Sequence, residues 1–443
     1  MTVIRETSPR RVMSLLVPAL ICNMLAFTSI LPLFPSILQY YSNVGHRDWL
    51  YDASIDSLKQ FQNFIGVPHN ERYDRVFFGG LLGSIFSALQ FVSSPTLGRL
   101  SDSYGRKNVI TICCFLTLVA YLIWLKADTF SLFVLSRIFG GLSKGNINVA
   151  VSIVSDIYSP EQHPKGMALI GITYSIGFLI GPMIGAYFST LFTNNEVFST
   201  PALFSITLTI LEMGFLLYLP ETLQVAKEKR IPVEVSSLIS PNKLFQFDAV
   251  KAPINKKLEM QRIGWVYFIY LFLYSGLEFT LPFLTFMKFN YNSMQQGKIY
   301  LFTGLLMIIL QGGVVRRIPM HRQKKTAEIG ISCIIPAYLL VAVANSQLVL
   351  YLGLFFYAIA SATVVTNLTS LVHCIYPEHE KGILAGIFRS LGCMARALGP
   401  IFSSTCFWLL GSSACYSVGA ILLFIPLILL KRIDNPASPP KTE

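Results

Sequence analysis

Charge is what this chain has least of. Only 13% of its 443 residues are Asp, Glu, Lys or Arg, while 53% are hydrophobic. In an ordinary soluble domain the charged share is about a quarter, so that class is excluded. Acids are the scarcer sign, 23 against 35 bases. His-Glu-x-x-His, a nucleophile elbow and metal-ligand spacings are all missing, so no enzyme, metal or cofactor is expected. Gly140 and Gly145 have the glycine spacing of a phosphate loop, but Asn146 stands where Lys is required. The eight cysteines fall in or beside apolar segments and none lies in the polar stretch 39–75, which argues against a disulfide framework.

Long apolar runs fill the chain instead. Candidate membrane spans lie near 12–38, 76–97, 108–125, 130–153, 165–188, 200–219, 263–287, 297–315, 327–344, 347–371, 383–410 and 413–430. About 20 apolar residues cross a bilayer as a helix, so the expected fold is an all-α membrane protein of twelve transmembrane helices. The first run follows Arg10 and Arg11 and is too long for a signal peptide, so it reads as a retained helix. Most of the Lys and Arg fall on loops that share a side with both termini, which places the termini in the cytoplasm. The net charge of +12 is then a topology signal facing anionic lipid headgroups, and no nucleic-acid partner is expected. Nothing in the sequence distinguishes the plasma membrane from an endomembrane.

An internal repeat organises the spans. Tyr158-Ser-Pro160-Glu161-Gln-His-Pro-Lys165-Gly166, followed by Gly181-Pro182, returns as Tyr376-Pro377-Glu378-His-Glu-Lys381-Gly382, followed by Gly399-Pro400. The offset stays near 215 to 218 residues. Two six-helix halves are expected, 1–220 and 263–443, joined by a cytoplasmic linker at 221–262 with a weak helical signal around Lys243–Val250. Six is even, so both halves enter the membrane with the same orientation.

Ionisable residues inside spans mark candidate sites, because each costs a few kcal/mol unless it faces water or a partner. Arg137 and Lys144 are seven residues apart in the fourth span, and Arg389 and Arg396 seven apart in the eleventh, so each pair shares a helix face. Two carboxylates accompany these four cations: Glu278 in the seventh span and Glu212 in the sixth. That balance favours an anionic ligand, with Glu278 as the proton carrier, while Glu212 reads more readily as structural. Gly98-Arg99-Leu100-Ser-Asp102-Ser-Tyr104-Gly105-Arg106-Lys107 combines two turn glycines with an acid able to bias a helix terminus or pair with Arg106. Gly177, Gly181 and Gly185, with Pro182 among them, make a smooth stripe for close helix packing.

The segment from Gly98 to Lys107 resembles the G-x-L-x-D-x-x-G-R-[KR] signature of the major facilitator superfamily. Arg137 and Gly141 resemble its fourth-span R-x-x-x-G pattern, and Gly177 to Gly185 its drug:proton antiporter motif, with Ala186 in place of the last glycine. Tyr274–Leu281, Gln295–Lys298 and Arg396–Pro400 are similar to the animal tetracycline transporter-like branch. The resemblance implies that Gly98, Asp102, Gly105 and Arg106 gate the cytoplasmic side. It also implies a substrate site formed by Arg389, Arg396, Arg137, Lys144 and Asn23, taking small organic anions in a monomeric protein coupled to protons. Asn23 departs from the antiporters, which carry an acid there. Either Glu278 takes over the coupling or coupling is weak. A facilitated uniporter, and a receptor or chaperone on a transporter scaffold, remain competing readings.

Overall fold

The computed structural model describes residues 8–433 except 31–32, 34–36, 38–39, 44, 68–70, 160, 192–198, 224–239, 251, 292 and 376–380. Most of the linker and the second Tyr-Pro-Glu run thus lie outside the described residues. The order is α1 (Pro9–Thr28), α2 (Trp49–Ile65), α3 (Glu71–Tyr104), α4 (Arg106–Leu125), α5 (Phe130–Ser143), α6 (Asn146–Ile157), α7 (His163–Leu191) and α8 (Ser199–Tyr218). It continues with α9 (Pro241–Gln246), α10 (Ile254–Phe289), α11 (Ser293–Gly313), α12 (Gln323–Ala342), α13 (Gln347–Ile375), α14 (Lys381–Leu410), α15 (Ser412–Leu422) and α16 (Phe424–Lys431). Among the described residues there is no strand.

Eleven stretches are long and apolar enough to cross a membrane as helices. The expected fourth span is different: it is divided at Lys144-Gly145 into α5 and α6, which together complete the twelfth crossing. The break falls where Gly145 packs so closely on Leu97 that a Cβ would collide with it. Lys144 therefore sits at the end of α5 rather than within one continuous helix, although it still lines the same cavity as Arg137.

Small residues set the close approaches, as they must where lipid offers no hydrophobic drive for helix association. Gly98 on α3 meets the backbone of Gly382 and Gly386 on α14. Gly177 and Gly181 on α7 meet Met24 and Thr28 on α1, and Thr28 Oγ1 donates to Gly177 O (2.7 Å). Gly185 is buried on the same helix, and Pro182 lies within α7 between the glycines.

The two ends of the bundle close differently. On the side away from the termini, Tyr73 and Phe77 of α3 lock against Phe283 of α10 and Trp408 of α14, with ring centroids 5.0 Å apart for Tyr73–Trp408 and for Phe77–Phe283. Beside them α2, not expected from the sequence, lies in the 39–75 stretch. Asp48 caps it by accepting from Tyr51 N (3.0 Å), and Gly66 ends it with φ +71°. On the terminal side α9 carries Leu244 to a buried position, with Phe247 buried just beyond it against Phe388. Each of the two best-formed cavities among the described residues measures about 10 Å³.

Candidate functional site

The terminal-side closure begins at Asp102. Its carboxylate accepts from Gly382 N (2.9 Å) and Ile383 N (2.8 Å), the first amides of α14, and from Arg106 Nη1 (2.7 Å). The first amides of a helix have no intrahelical acceptor and carry its positive pole, so a carboxylate there is favoured twice over. Arg106, 1% exposed, also donates from Nε to Asp156 (2.9 Å), and Lys381 lies 3.5 Å from the same carboxylate. Gly105, at φ +101°, turns the chain so that Glu221 accepts from Arg106 N (2.9 Å) and Lys107 N (3.2 Å). Gly98, Asp102, Gly105 and Arg106 are thus brought together against the N-terminus of α14.

Among the described residues, the hydrogen bonds made at the N-terminus of α7 involve no acid. His163 Nδ1 pairs with Ser370 Oγ (2.9 Å), while Ser155 Oγ pairs with His163 Nε2 (3.0 Å) and His373 Nδ1 (3.2 Å). Ser155 and His373 are 218 residues apart, the offset of the repeat, so equivalent positions meet across the interface. Neither histidine was singled out from the sequence. The repeated run in which His163 lies was the available signal.

Deeper in, Asn23 joins two helices through opposite charges. Its Nδ2 donates to both oxygens of Glu212 on α8 (3.1 and 2.9 Å), and its Oδ1 accepts from Lys144 Nζ (2.5 Å). All three are buried, Glu212 at 1% exposed. An amide suits this position because it donates to a carboxylate and accepts from an ammonium at the same time. A carboxylate from α8 thus lies against the Asn23 position of α1. The signal in the sequence was a lone carboxylate in an apolar helix with no cation within a turn of it, which demands a partner elsewhere. Lys144 also lies over the Phe27 ring, 4.4 Å from its centroid.

Arg137 is about two turns away along α5. Its guanidinium sits 5.1 Å from the Trp124 ring, 5.3 Å from Phe133 and 6.0 Å from Tyr121. Its only hydrogen bond among the described residues runs from Nε to Ser136 Oγ (3.1 Å), and Nη2 has none. Ring faces stabilise a desolvated cation by about 2 kcal/mol or more.

In the other half, Arg389 Nη2 donates to Gln90 Oε1 on α3 (3.1 Å), which Cys393 Sγ also meets (3.2 Å). Gln90, absent from the sequence reading, is the neutral counterpart of Arg389. Arg396 lies close enough to Glu278 for their charges to interact, yet neither forms an ion pair or hydrogen bond among the described residues. Tyr274, one turn from Glu278, donates to Ser361 (2.8 Å) and stacks on Tyr357 at 4.8 Å. Of the five expected substrate residues, Asn23, Arg137 and Lys144 lie on α1 and α5 and Arg389 and Arg396 on α14, with Arg389 close enough to Lys144 for their charges to repel.

A family profile described as Major Facilitator Superfamily matches residues 16–400. The chain belongs to the major facilitator superfamily. This makes it a multi-pass membrane protein of a transporter family, a family whose members are not in general enzymes. It is 39% identical to "Major facilitator superfamily domain-containing protein 10" of Mus musculus, over 99% of this chain and 96% of that protein. The human protein of that name is 37% identical, with the same coverage. "Tetracycline resistance protein, class B" of Escherichia coli is a more distant superfamily relative, 22% identical over 73% of this chain and 77% of its own. Among solved structures, one described as "Crystal structure of the human organic anion transporter MFSD10 (TETRAN)" superposes with a TM-score of 0.89 at 37% identity. That match covers 96% of this chain and all of the other.

Proposed function

We propose that this chain is a secondary active transporter of small organic anions, working by alternating access and coupled to protons. One observation carries the reading: among the described residues, none of the four intramembrane cations has a direct carboxylate partner. Lys144 is held by Asn23, Arg389 by Gln90 and Arg137 by aromatic rings, while Arg396 meets Glu278 only at a distance. Cations stabilised by neutral groups keep their charge available to an arriving anion, whereas a direct ion pair would have to be broken first. The likeness to a structure described as an organic anion transporter supports the same substrate class.

Glu278 is the proton carrier in this reading, since among the described residues no hydrogen bond commits its carboxylate to one protonation state. Glu212 links proton and substrate more indirectly, because an anion drawing Lys144 from Asn23 loosens the Asn23–Glu212 contact. Asp102 and Arg106 gate the terminal side, which the positive-inside rule makes cytoplasmic. The protein acts as a monomer, in the plasma membrane or an endomembrane. Counterflow of labelled organic anions in proteoliposomes tests the reading. Saturable exchange, accelerated by a pH gradient, is expected; if no anion moves with or without the gradient, the reading fails.

A further inference from the structure

The serine–histidine group at the terminal-side closure has a fixed count of hydrogens. Ser155 Oγ donates to Val151 O (3.0 Å) and has no second hydrogen to give. It therefore accepts from His163 Nε2 (3.0 Å) and from His373 Nδ1 (3.2 Å). His163 Nδ1 is then the bare nitrogen of its ring and accepts from Ser370 Oγ (2.9 Å). With both rings neutral, each of these hydrogens has an acceptor. His373 Nε2 is left over, buried and with no partner among the described residues. Both rings lie at helix ends, beyond the apolar runs 165–188 and 347–371.

A second proton on His373 would have to sit on Nε2, as a buried N–H without an acceptor and a charge without a counter-ion. The acids nearby are already taken. Asp156 holds Arg106 (2.9 Å) and Lys381 (3.5 Å), and Asp102 holds Arg106 and the first amides of α14. Cations face the ring instead: Arg106 and Lys381, whose ammonium donates to Ser155 O, are near enough to act on its charge. The His163 ring stands 5.6 Å away. Around them Tyr158 ends α6, while Lys165 on α7, Arg316 and Arg317 in the adjoining turn, and Glu161 before α7 are exposed.

We propose that His373 is a proton-binding site that fills only as the terminal side opens, so that protons on that side favour the open form. Ser370 and His373 belong to α13 in one half, Ser155 and His163 to α6 and α7 in the other. Parting the halves wets Nε2 and returns the ring to the ordinary histidine range, about 6.5. The closed form takes the proton less readily, so closure is fully stabilised above about pH 6.5 and weakens as pH falls below it. The inference rests on alternating access, but neither on the substrate nor on proton transfer by Glu278.

The test needs no transport. Spin labels on Tyr104→Cys and Arg322→Cys, exposed terminal-side positions in the two halves, report their separation by double electron–electron resonance. In the full-length protein at constant salt, the open-to-closed ratio is expected to rise about tenfold between about pH 7.5 and 5.5, the change one histidine can supply across that window. His373→Asn, whose amide keeps the donation to Ser155 but cannot take up a proton, removes the rise. If it does not fold, His373→Gln takes its place. Glu278→Gln keeps the rise, which tells the two proton sites apart. A wild-type ratio indifferent to pH, an unchanged rise in a folded His373 variant, or a rise lost in Glu278→Gln overturns the proposal.

Discussion

The N-terminal group of charges and the C-terminal one solve the same problem in opposite ways. Around Asn23, a carboxylate, an amide and an ammonium form a connected chain in which every member is buried. Around Glu278 and Arg396, the two charges act on one another without touching. The terminal-side closure shows the same contrast: Asp102 grips α14 with full charge, while Ser155, His163, Ser370 and His373 join α7 and α13 with neutral groups. A duplicated scaffold has thus kept its geometry while the two copies diverged in electrostatics.

The sharpest way to break the comparison is Asp102→Asn. It preserves shape but removes the charge from three hydrogen bonds, each worth about 1.5–3 kcal/mol when charge-assisted. Organic-anion exchange is expected to fall by about tenfold or more, a change of about 1.4 kcal/mol in a rate-limiting equilibrium. Alkylation of Cys393, buried beside Gln90, should accelerate as the terminal side opens. Unchanged exchange with unchanged labelling would show that the neutral contacts hold the closure alone.

The two carboxylates sharpen the contrast next. Glu278→Gln should abolish accumulation driven by a pH gradient while leaving exchange within about threefold, since exchange needs no net proton movement. Glu212→Gln should weaken both by a similar factor of about ten, because losing a hydrogen bond to a buried charged group costs about 1.5–3 kcal/mol. Measuring gradient-driven uptake beside exchange separates the outcomes. If Glu212→Gln alone abolishes gradient-driven uptake, the proton carrier lies in the N-terminal group and the assignment to Glu278 is wrong.

Much of this organisation was legible in the linear sequence. Hydropathy located the spans, and the repeated runs pointed to two six-helix halves. The Gly98–Lys107 segment named Asp102 and Arg106, which pair at 2.7 Å. What escaped was long-range. Asn23 meets Glu212 across 189 residues and Arg389 meets Gln90 across 299, and no periodicity within one helix reports which polar group faces it from another. The break at Lys144-Gly145 also escaped, because the run 130–153 is long and apolar enough to read as one helix and only Leu97, on a different helix, explains why the glycine is needed. Helix α2 had a visible signature: Asp48 before it, Gly66 after it, and Tyr51, Leu58 and Ile65 at intervals of seven. A stretch read only as a polar loop between spans concealed it.

The neutral contacts should break more gently than the charged ones. Ser155→Ala removes hydrogen bonds to His163 and His373, each worth about 0.5–1.5 kcal/mol. An acceleration of Cys393 alkylation of about two- to tenfold is expected, smaller than for Asp102→Asn. An equal or larger acceleration would mean that both halves lock with comparable strength.

The smallest effect is expected at α2, outside the charged interior. Asp48 accepts from Tyr51 N and from Ser131 N (2.7 Å), so it joins α2 to the start of α5. Burial pushes its carboxyl up, but the hydrogen bonds from Ser131 and Tyr51 outweigh that and hold it below the usual carboxylate range. A depressed value means that the ionised form is the one the fold favours. The stabilisation is therefore complete at neutral pH and fades as pH falls below about 4, where the carboxylate takes up its proton. Asp48→Ala should cost about 1 kcal/mol at neutral pH, as the loss of a helix N-cap does. Hydrogen–deuterium exchange in α2 at neutral pH should rise by about fivefold in the variant, while transport stays unchanged. A transport defect of the size seen for Asp102→Asn would place α2 among the gating elements and extend the asymmetry of the two halves to both faces of the membrane.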